Sequence, residues 1–291
     1  MELVYHIGAH CTDEDGLLKC LFKNCDALSR QGILVPDPSR YRPILRDMLV
    51  SLRGQPATAD MQQVILDATT DGAEARRLIL VNQSFLCLPK KALGQNMLYP
   101  MAGDKAHWLA QLFPDDPCAF FLGIRNPATF IPALFVKSRE SDFAAFLAGV
   151  DPGALTWSDM VRRIRAANPR ARLTVWCNED TPLIWPELLA RLSDHGESTP
   201  LRGTDDLLDA IMQPAGLTRL RAYLDENPPT NEAQRRRIVA AFLDKYALPD
   251  AIDEEIDAPG WTEDLVEHLT ERYEADLTAI QAIEGVDVIT P

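Results

Sequence analysis

The residues of this chain best suited to chemistry stand together near its start, in the run His6-Ile7-Gly8-Ala9-His10-Cys11-Thr12-Asp13-Glu14-Asp15-Gly16. An apolar stretch, Leu3 to Ile7, precedes them, and Leu17, Leu18, Leu21, Phe22, Cys25 and Leu28 follow at helical spacing. A strand, a glycine-containing turn and a helix N-terminus together make an anion cradle. Unpaired N–H groups converge there, and the helix dipole favours negative charge. Gly8, His10, Cys11 and Thr12 are the candidate anion-binding residues, although the full G-x-x-x-x-G-K-[ST] pattern is not met. The same turn admits two other chemistries. His6, His10, Cys11 and Asp13 have the softness and spacing of zinc ligands. Cys11, at a helix start, is a candidate nucleophile, but the neighbouring acids raise a thiol's pKa and oppose its ionisation.

The elements that must position this turn are read from the apolar pattern. Leu3–Ile7, Leu78–Val81, Ala119–Ile124 and Leu173–Trp176 are short runs rich in branched and aromatic residues, which predicts buried strands. Helices are expected between them, near Ile44–Leu52, Ala59–Ala68, Lys105–Leu112 and Pro127–Arg139. The first helix is expected to run from Leu17 to a stop at Gly32, and another to open with Thr156-Trp157-Ser158-Asp159 as its capping sequence. Alternating strands and helices predict an α/β fold, a parallel sheet flanked by helices. Beyond about residue 200 the strand pattern stops, so the expected organisation is an α/β domain over 1–200 and a helical C-terminal region over 201–291 packed on it. That region has one helix after Pro228-Pro229-Thr230 and another from Thr262, with the stripe Val266, Leu269, Tyr273, Leu277 and Ile280.

Charge and composition exclude several classes. With 29 Lys+Arg against 43 Asp+Glu, the net charge is −14 over 291 residues. Such a surface repels nucleic acid and anionic membranes, so neither is an expected partner. The arginine groups Arg162, Arg163 and Arg165, and Arg235 to Arg237, read as solvated helix faces. No apolar stretch approaches a membrane span, and Met1-Glu2-Leu3-Val4-Tyr5-His6 is not a signal peptide pattern. The six cysteines, Cys11, Cys20, Cys25, Cys87, Cys118 and Cys177, contain no C-x-x-C pair and mostly lie in apolar runs. Reduced thiols in the cytoplasm are the expectation.

Taken in order, the motifs resemble the bacterial sulfotransferase branch of the P-loop proteins. Its first motif, H-I-G-x-x-K-T-G-T-T, is matched by His6-Ile7-Gly8-Ala9-His10, and its G-[IV]-x-x-P by Gly32-Ile33-Leu34-Val35-Pro36. Phe121-Leu122-Gly123-Ile124-Arg125-Asn126-Pro127 is similar to the family strand that ends in R-[DN]-P, and Glu179-Asp180 stands where a later strand ends in E-D. The resemblance implies a P-loop fold and phosphoadenosine phosphosulfate as sulfonate donor. It also implies that Arg125 would hold the donor's 3′-phosphate, with the acceptor unspecified. No metal is implied, since both histidines occur in that family without one. Glu179 and Asp180 are then a possible acid or base, or a cap for a helix beginning at Thr181-Pro182.

The departures from the family pattern fall on the donor site. Its lysine is Cys11 here, its small residues are Asp13, Glu14 and Asp15, its serine after the strand-end arginine is Ala133, and its S-S-E is Asn82-Gln83-Ser84. A carboxylate about 5 Å from a phosphate oxygen is repelled by about 3 kcal/mol at an effective dielectric near 20. The helix dipole returns only ~0.3–1 kcal/mol. Thr12-Asp13-Glu14-Asp15 is therefore expected to cap its own helix, with Thr12 as N-cap and Asp15 three residues on. Two functions remain: sulfonate transfer, impaired at the donor site, or a non-catalytic binding or interaction protein on the same fold. The thiol reading has its own test. Mass spectrometry of protein isolated without reductant should count six alkylatable thiols and no mass deficit from a disulfide.

Overall fold

A strand that is apolar at every position needs cover on both faces, and this requirement sets the architecture. The computed structural model describes residues 1–13, 15–196, 198–252 and 258–291. Along it run β1 (Glu2–His6), α1 (Gly16–Phe22), α2 (Cys25–Ser29), β2 (Ile33–Leu34), α3 (Pro38–Leu52), α4 (Ala59–Thr70) and β3 (Arg77–Val81). A short hairpin, β4 (Leu93–Gly94) with β5 (Met97–Leu98), leads to α5 (Ala102–Ala110), β6 (Cys118–Ile124), α6 (Pro127–Ser138) and α7 (Phe143–Leu147). Next come α8 (Trp157–Ala167), β7 (Arg172–Cys177) and α9 (Thr181–Ser193). The remainder holds α10 (Asp206–Ile211), α11 (Pro214–Glu226), α12 (Glu232–Tyr246), α13 (Pro249–Ile252), α14 (Glu263–Gln281) and β8 (Val286–Ile289).

Six strands form one parallel sheet in the order β2-β3-β1-β6-β7-β8. The expected α/β class and the parallel pairing of β1 with β6 are both present, with Leu3 opposite Cys118 and His6 opposite Phe121. Side chains alternate across the pleat. Leu3, Tyr5 and Ile7 enter a core shared with α3, α5, α6, α8 and α14, and Val4 enters the opposite one, built on α1 and α9. A third, small cluster of Leu208, Met212, Leu217, Leu220 and Val239 holds α10 to α12 together. Among the described residues no helix is long and apolar enough to cross a membrane.

Several expectations are corrected. Strand structure does not stop near residue 200: β8 pairs with β7 in parallel, Leu173 opposite Val286. The expected first helix is broken into α1 and α2. At the break the buried Asn24 amide donates to the carbonyls of Cys20 and Arg202 and its oxygen accepts the Arg202 N–H, a closed set that binds a distant loop instead of continuing the helix. Of the arginine groups, Arg162 and Arg237 are exposed as expected, whereas others act as staples. Arg163 donates to the carbonyls of Leu98, Tyr99 and Pro100, Arg165 to those of Pro169 and Glu284, and Arg236 to that of Thr290. All six cysteines are free thiols.

Helix α8 is capped from outside its own sequence. Thr156 occupies the N-cap position without a side-chain bond, and the N–H groups of Trp157 and Ser158 donate instead to Asp276 Oδ2 of α14, at 2.6 and 3.0 Å. Asp276 is 7% exposed, so its loss would strand two donors in the core. Asp276→Ala should cost about 1–3 kcal/mol in urea unfolding, and Asp276→Asn, which keeps an acceptor oxygen, distinctly less.

Candidate functional site

In an open parallel sheet, ligands are taken at the carboxyl edge, where neighbouring strands send their connections in opposite directions. Here that point lies between β1, whose chain leads to β2 and β3, and β6, whose chain leads to β7. The turn after β1 and Arg125 after β6 therefore meet. The β1–β6 pairing continues past the end of β1. Gly123 N–H donates to Gly8 O at 2.8 Å, and Ala9 N–H donates to Gly123 O at 2.7 Å. Gly8 has φ +110°, and a Cβ there would come within 3.4 Å of Gln83 O, so the position calls for glycine.

The turn closes on itself. Arg125 Nη1 donates to the carbonyl oxygen of Cys11 at 2.6 Å, and its Nε donates to Thr129 Oγ1 at 3.0 Å. Thr12 Oγ1 donates to Ala9 O at 2.9 Å. Asp13 Oδ2 accepts the N–H of Leu17 at 3.0 Å, which places a carboxylate on the free donors of α1. The other Asp13 oxygen is buried and accepts no hydrogen bond among the described residues. An acidic self-cap is thus present, with different members from those expected. Thr12 bonds backward into the turn, and Asp15 sits at the N-cap in the left-handed region, φ 63°, without a cap bond. Left-handed backbone turns the Asp15 side chain away from the helix, and Arg42 of α3 approaches it at 3.8 Å. Glu14 lies outside the described residues.

The two histidines part company. His6 is fully buried, stacks on Trp176 with ring centroids 5.7 Å apart, and has neither ring nitrogen hydrogen-bonded among the described residues. His10 stacks on Tyr99, in the opposite core, also with centroids 5.7 Å apart. Tyr99 Oη accepts the His10 backbone N–H at 3.0 Å and lies 2.7 Å from Nδ1. Burial holds the Tyr99 phenol well above its usual pKa, so the hydroxyl keeps its proton. His10 Nε2 lies 3.4 Å from Ser84 Oγ. His6 and His10 therefore do not converge, and among the described residues no group of three or more His, Cys, Asp or Glu is arranged to hold a metal. Tyr99 was not expected here: its left-handed backbone, φ 46°, follows a hairpin of only two-residue strands, too short to read as a pattern.

Glu179 and Asp180 follow β7 and divide in role. Glu179 Oε1 accepts the Asn126 N–H at 2.7 Å, and its Oε2 accepts the Tyr273 hydroxyl at 3.1 Å. One carboxylate so ties the ends of β6 and β7 to α14. Asp180 stands at the N-cap of α9 but makes no cap bond. Its backbone is already helical, φ −84° and ψ −11°, where a capping side chain needs extended geometry. The carboxyl is half-buried beside the Cys177 thiol and the Glu179 charge. Burial first, and the Glu179 charge second, push Asp180 up to about 6, while burial pushes Cys177 up to about 12.

With this geometry in hand, likeness to known proteins adds no identity: no known family model matches the chain, and no curated protein sequence does.

The Asp180 carboxyl makes a linkage prediction. A carboxyl whose folded pKa exceeds its unfolded value of about 3.9 favours folding when neutral, so its contribution is present below pH ~4 and is lost as pH rises through about 6. Asp180→Asn should therefore stabilise the protein at pH 7.5 by about 1–2 kcal/mol, discounted for partial exposure. The gain should fade towards pH 4.5, as thermal melts at the two pH values would show.

Proposed function

We propose that this chain is a binding protein on a sulfotransferase-like α/β fold, its anion turn occupied by its own side chains, so that it takes no phosphosulfate donor in its native form. The observation that carries the reading is the 2.6 Å bond from Arg125 to the Cys11 carbonyl, beside the Asp13 carboxylate on the Leu17 N–H. The arginine that the resemblance assigns to a 3′-phosphate is engaged in holding the turn, and a carboxylate stands where donor oxygens would bind. A hydrogen bond from a charged group contributes roughly 1.5–3 kcal/mol. An entering anion would have to displace that bond and also face Asp13 and Asp15. Helix α1 has seven residues, less than two full turns, so its dipole adds little.

A second reading, sulfonate transfer to an acceptor hydroxyl or amine, is favoured by the position of Arg125 at the switch between β1 and β6. In that reading Arg125 would exchange its carbonyl partner for the 3′-phosphate, and Gly8, His10, Cys11 and Thr12 would line the sulfonate end.

Calorimetric titration with phosphoadenosine phosphate, the desulfated donor, separates the two. No saturable heat is expected up to about 1 mM, equivalent to about −4 kcal/mol. Saturable binding that weakens in Arg125→Ala would overturn the first reading, and transfer of sulfonate from the intact donor to an acceptor would then establish the second. The variant Cys11→Lys, Asp13→Gly, Asp15→Gly supplies a cation, removes two acids and suits the left-handed backbone at position 15. It should gain donor binding and lose about 0.5–2 kcal/mol of stability with the Asp13 cap.

A further inference from the structure

Beside the turn, and not part of it, α3 and the segment after β3 enclose a groove of about 440 Å³. That volume lies in the usual range for small-molecule sites, ~300–1,000 Å³. Its floor is apolar, with Leu49 and Phe85 nearly buried, and its rim carries Val50 and Leu88, which are 58% and 59% exposed. Two large aliphatic side chains left in water at one rim are an unsatisfied apolar surface. The charges lining the groove are all cationic: Arg42, Arg46 and Lys105. Arg42 has Asp15 at 3.8 Å and Arg46 has Asp47 at 2.9 Å. Lys105 differs. Its ammonium lies 3.7 Å above the centre of the Trp108 ring; the neighbouring Asp104 acts on it electrostatically but makes no ion pair with it among the described residues. Burial disfavours its charge and lowers its pKa. An aromatic face offsets only part of that cost, since a cation–π contact is worth less than an anion at the same distance.

We propose that this groove binds an amphiphilic monocarboxylate, its aliphatic body on Leu49, Val50, Phe85 and Leu88 and its carboxylate on Lys105. The apolar floor selects the chain and the partly desolvated ammonium selects the head group. An uncharged molecule of the same shape leaves the ammonium as it was, and a small inorganic anion leaves the rim in water. The inference does not depend on how the anion turn functions, because none of these residues belongs to it.

Octanoate and octan-1-ol, matched in chain length, are suitable probes by isothermal calorimetry and by chemical-shift perturbation. Octanoate should bind at one site, at about millimolar or better, and octanol at least tenfold more weakly. Lys105→Met keeps the aliphatic stem over Trp108 and should weaken octanoate about tenfold while leaving octanol unchanged. Val50→Asp, at an exposed rim position that tolerates charge, should weaken octanoate by a similar factor with the circular dichroism spectrum intact. Four results would overturn the proposal: no octanoate binding in that range, equal affinity for octanol, full affinity in folded Lys105→Met, or concentration-dependent self-association that Val50→Asp abolishes. The last would assign the groove to a second copy of the chain.

Discussion

Two backbone hydrogen bonds beyond the end of β1 govern what this carboxyl edge can be. They run between Gly123 and the peptide units of Gly8 and Ala9, and they lay the turn flat along β6. A turn pinned in this way cannot rise from the sheet to wrap a ligand without breaking a strand pairing. It also brings Cys11 within reach of Arg125, two residues past the pinning glycine. Gly123 serves the other face as well, since a Cβ there would lie 3.0 Å from the Trp176 indole, the ring on which His6 rests. The absence of side chains at Gly8 and Gly123 therefore allows both the closed turn and the packing beneath it.

Closure redistributes charge in a chain whose balance is −14. The Leu17 N–H at the start of α1 is met by Asp13, Arg125 donates to Cys11 and Thr129, and Glu179 joins β6, β7 and α14 through two acceptor oxygens. Groups that could hold a ligand thus hold elements of the fold, and each is tied by charge-assisted bonds of the stronger kind. The groove along α3 is the reverse case. There the cation meets a ring instead of a carboxylate and the apolar rim faces water. The first region turns most of its charged groups inward, and the second leaves its cation open to a partner.

The four long strands were legible because an unbroken apolar run has few alternatives in a folded chain, and their alternation with helices disclosed the parallel sheet. What escaped the reading was short or answered from far away. β2, β4 and β5 are two residues each, and β8 interrupts its apolar pattern with Asp287. The break at Asn24 depends on Arg202 and the cap of α8 on Asp276, partners more than a hundred residues distant that no local window contains. At the site, the turn and Arg125 were found from motif order. The bond between them was hidden because its acceptor is a peptide carbonyl, which every residue carries. The acidic residues announced a cap, but which acid reaches which N–H follows from backbone dihedrals, and these placed Asp13, not Asp15, on the helix.

The placing of β1 at the middle of the sheet also bears on how the chain finds its structure. Leu3 pairs on one side with Leu78 and on the other with Cys118, so its partners are 75 and 115 residues further along. The strand at the centre of both cores therefore gains its pairings only when long loops close. Loop-closure entropy grows only slowly with length, by about 0.6 kcal/mol per doubling, but it must be met before any of that burial is gained. Non-local topologies of this kind fold orders of magnitude more slowly than helical bundles. During that search the apolar edges of β1 and β6 have no cover, and encounters between chains compete with the pairing that creates the turn.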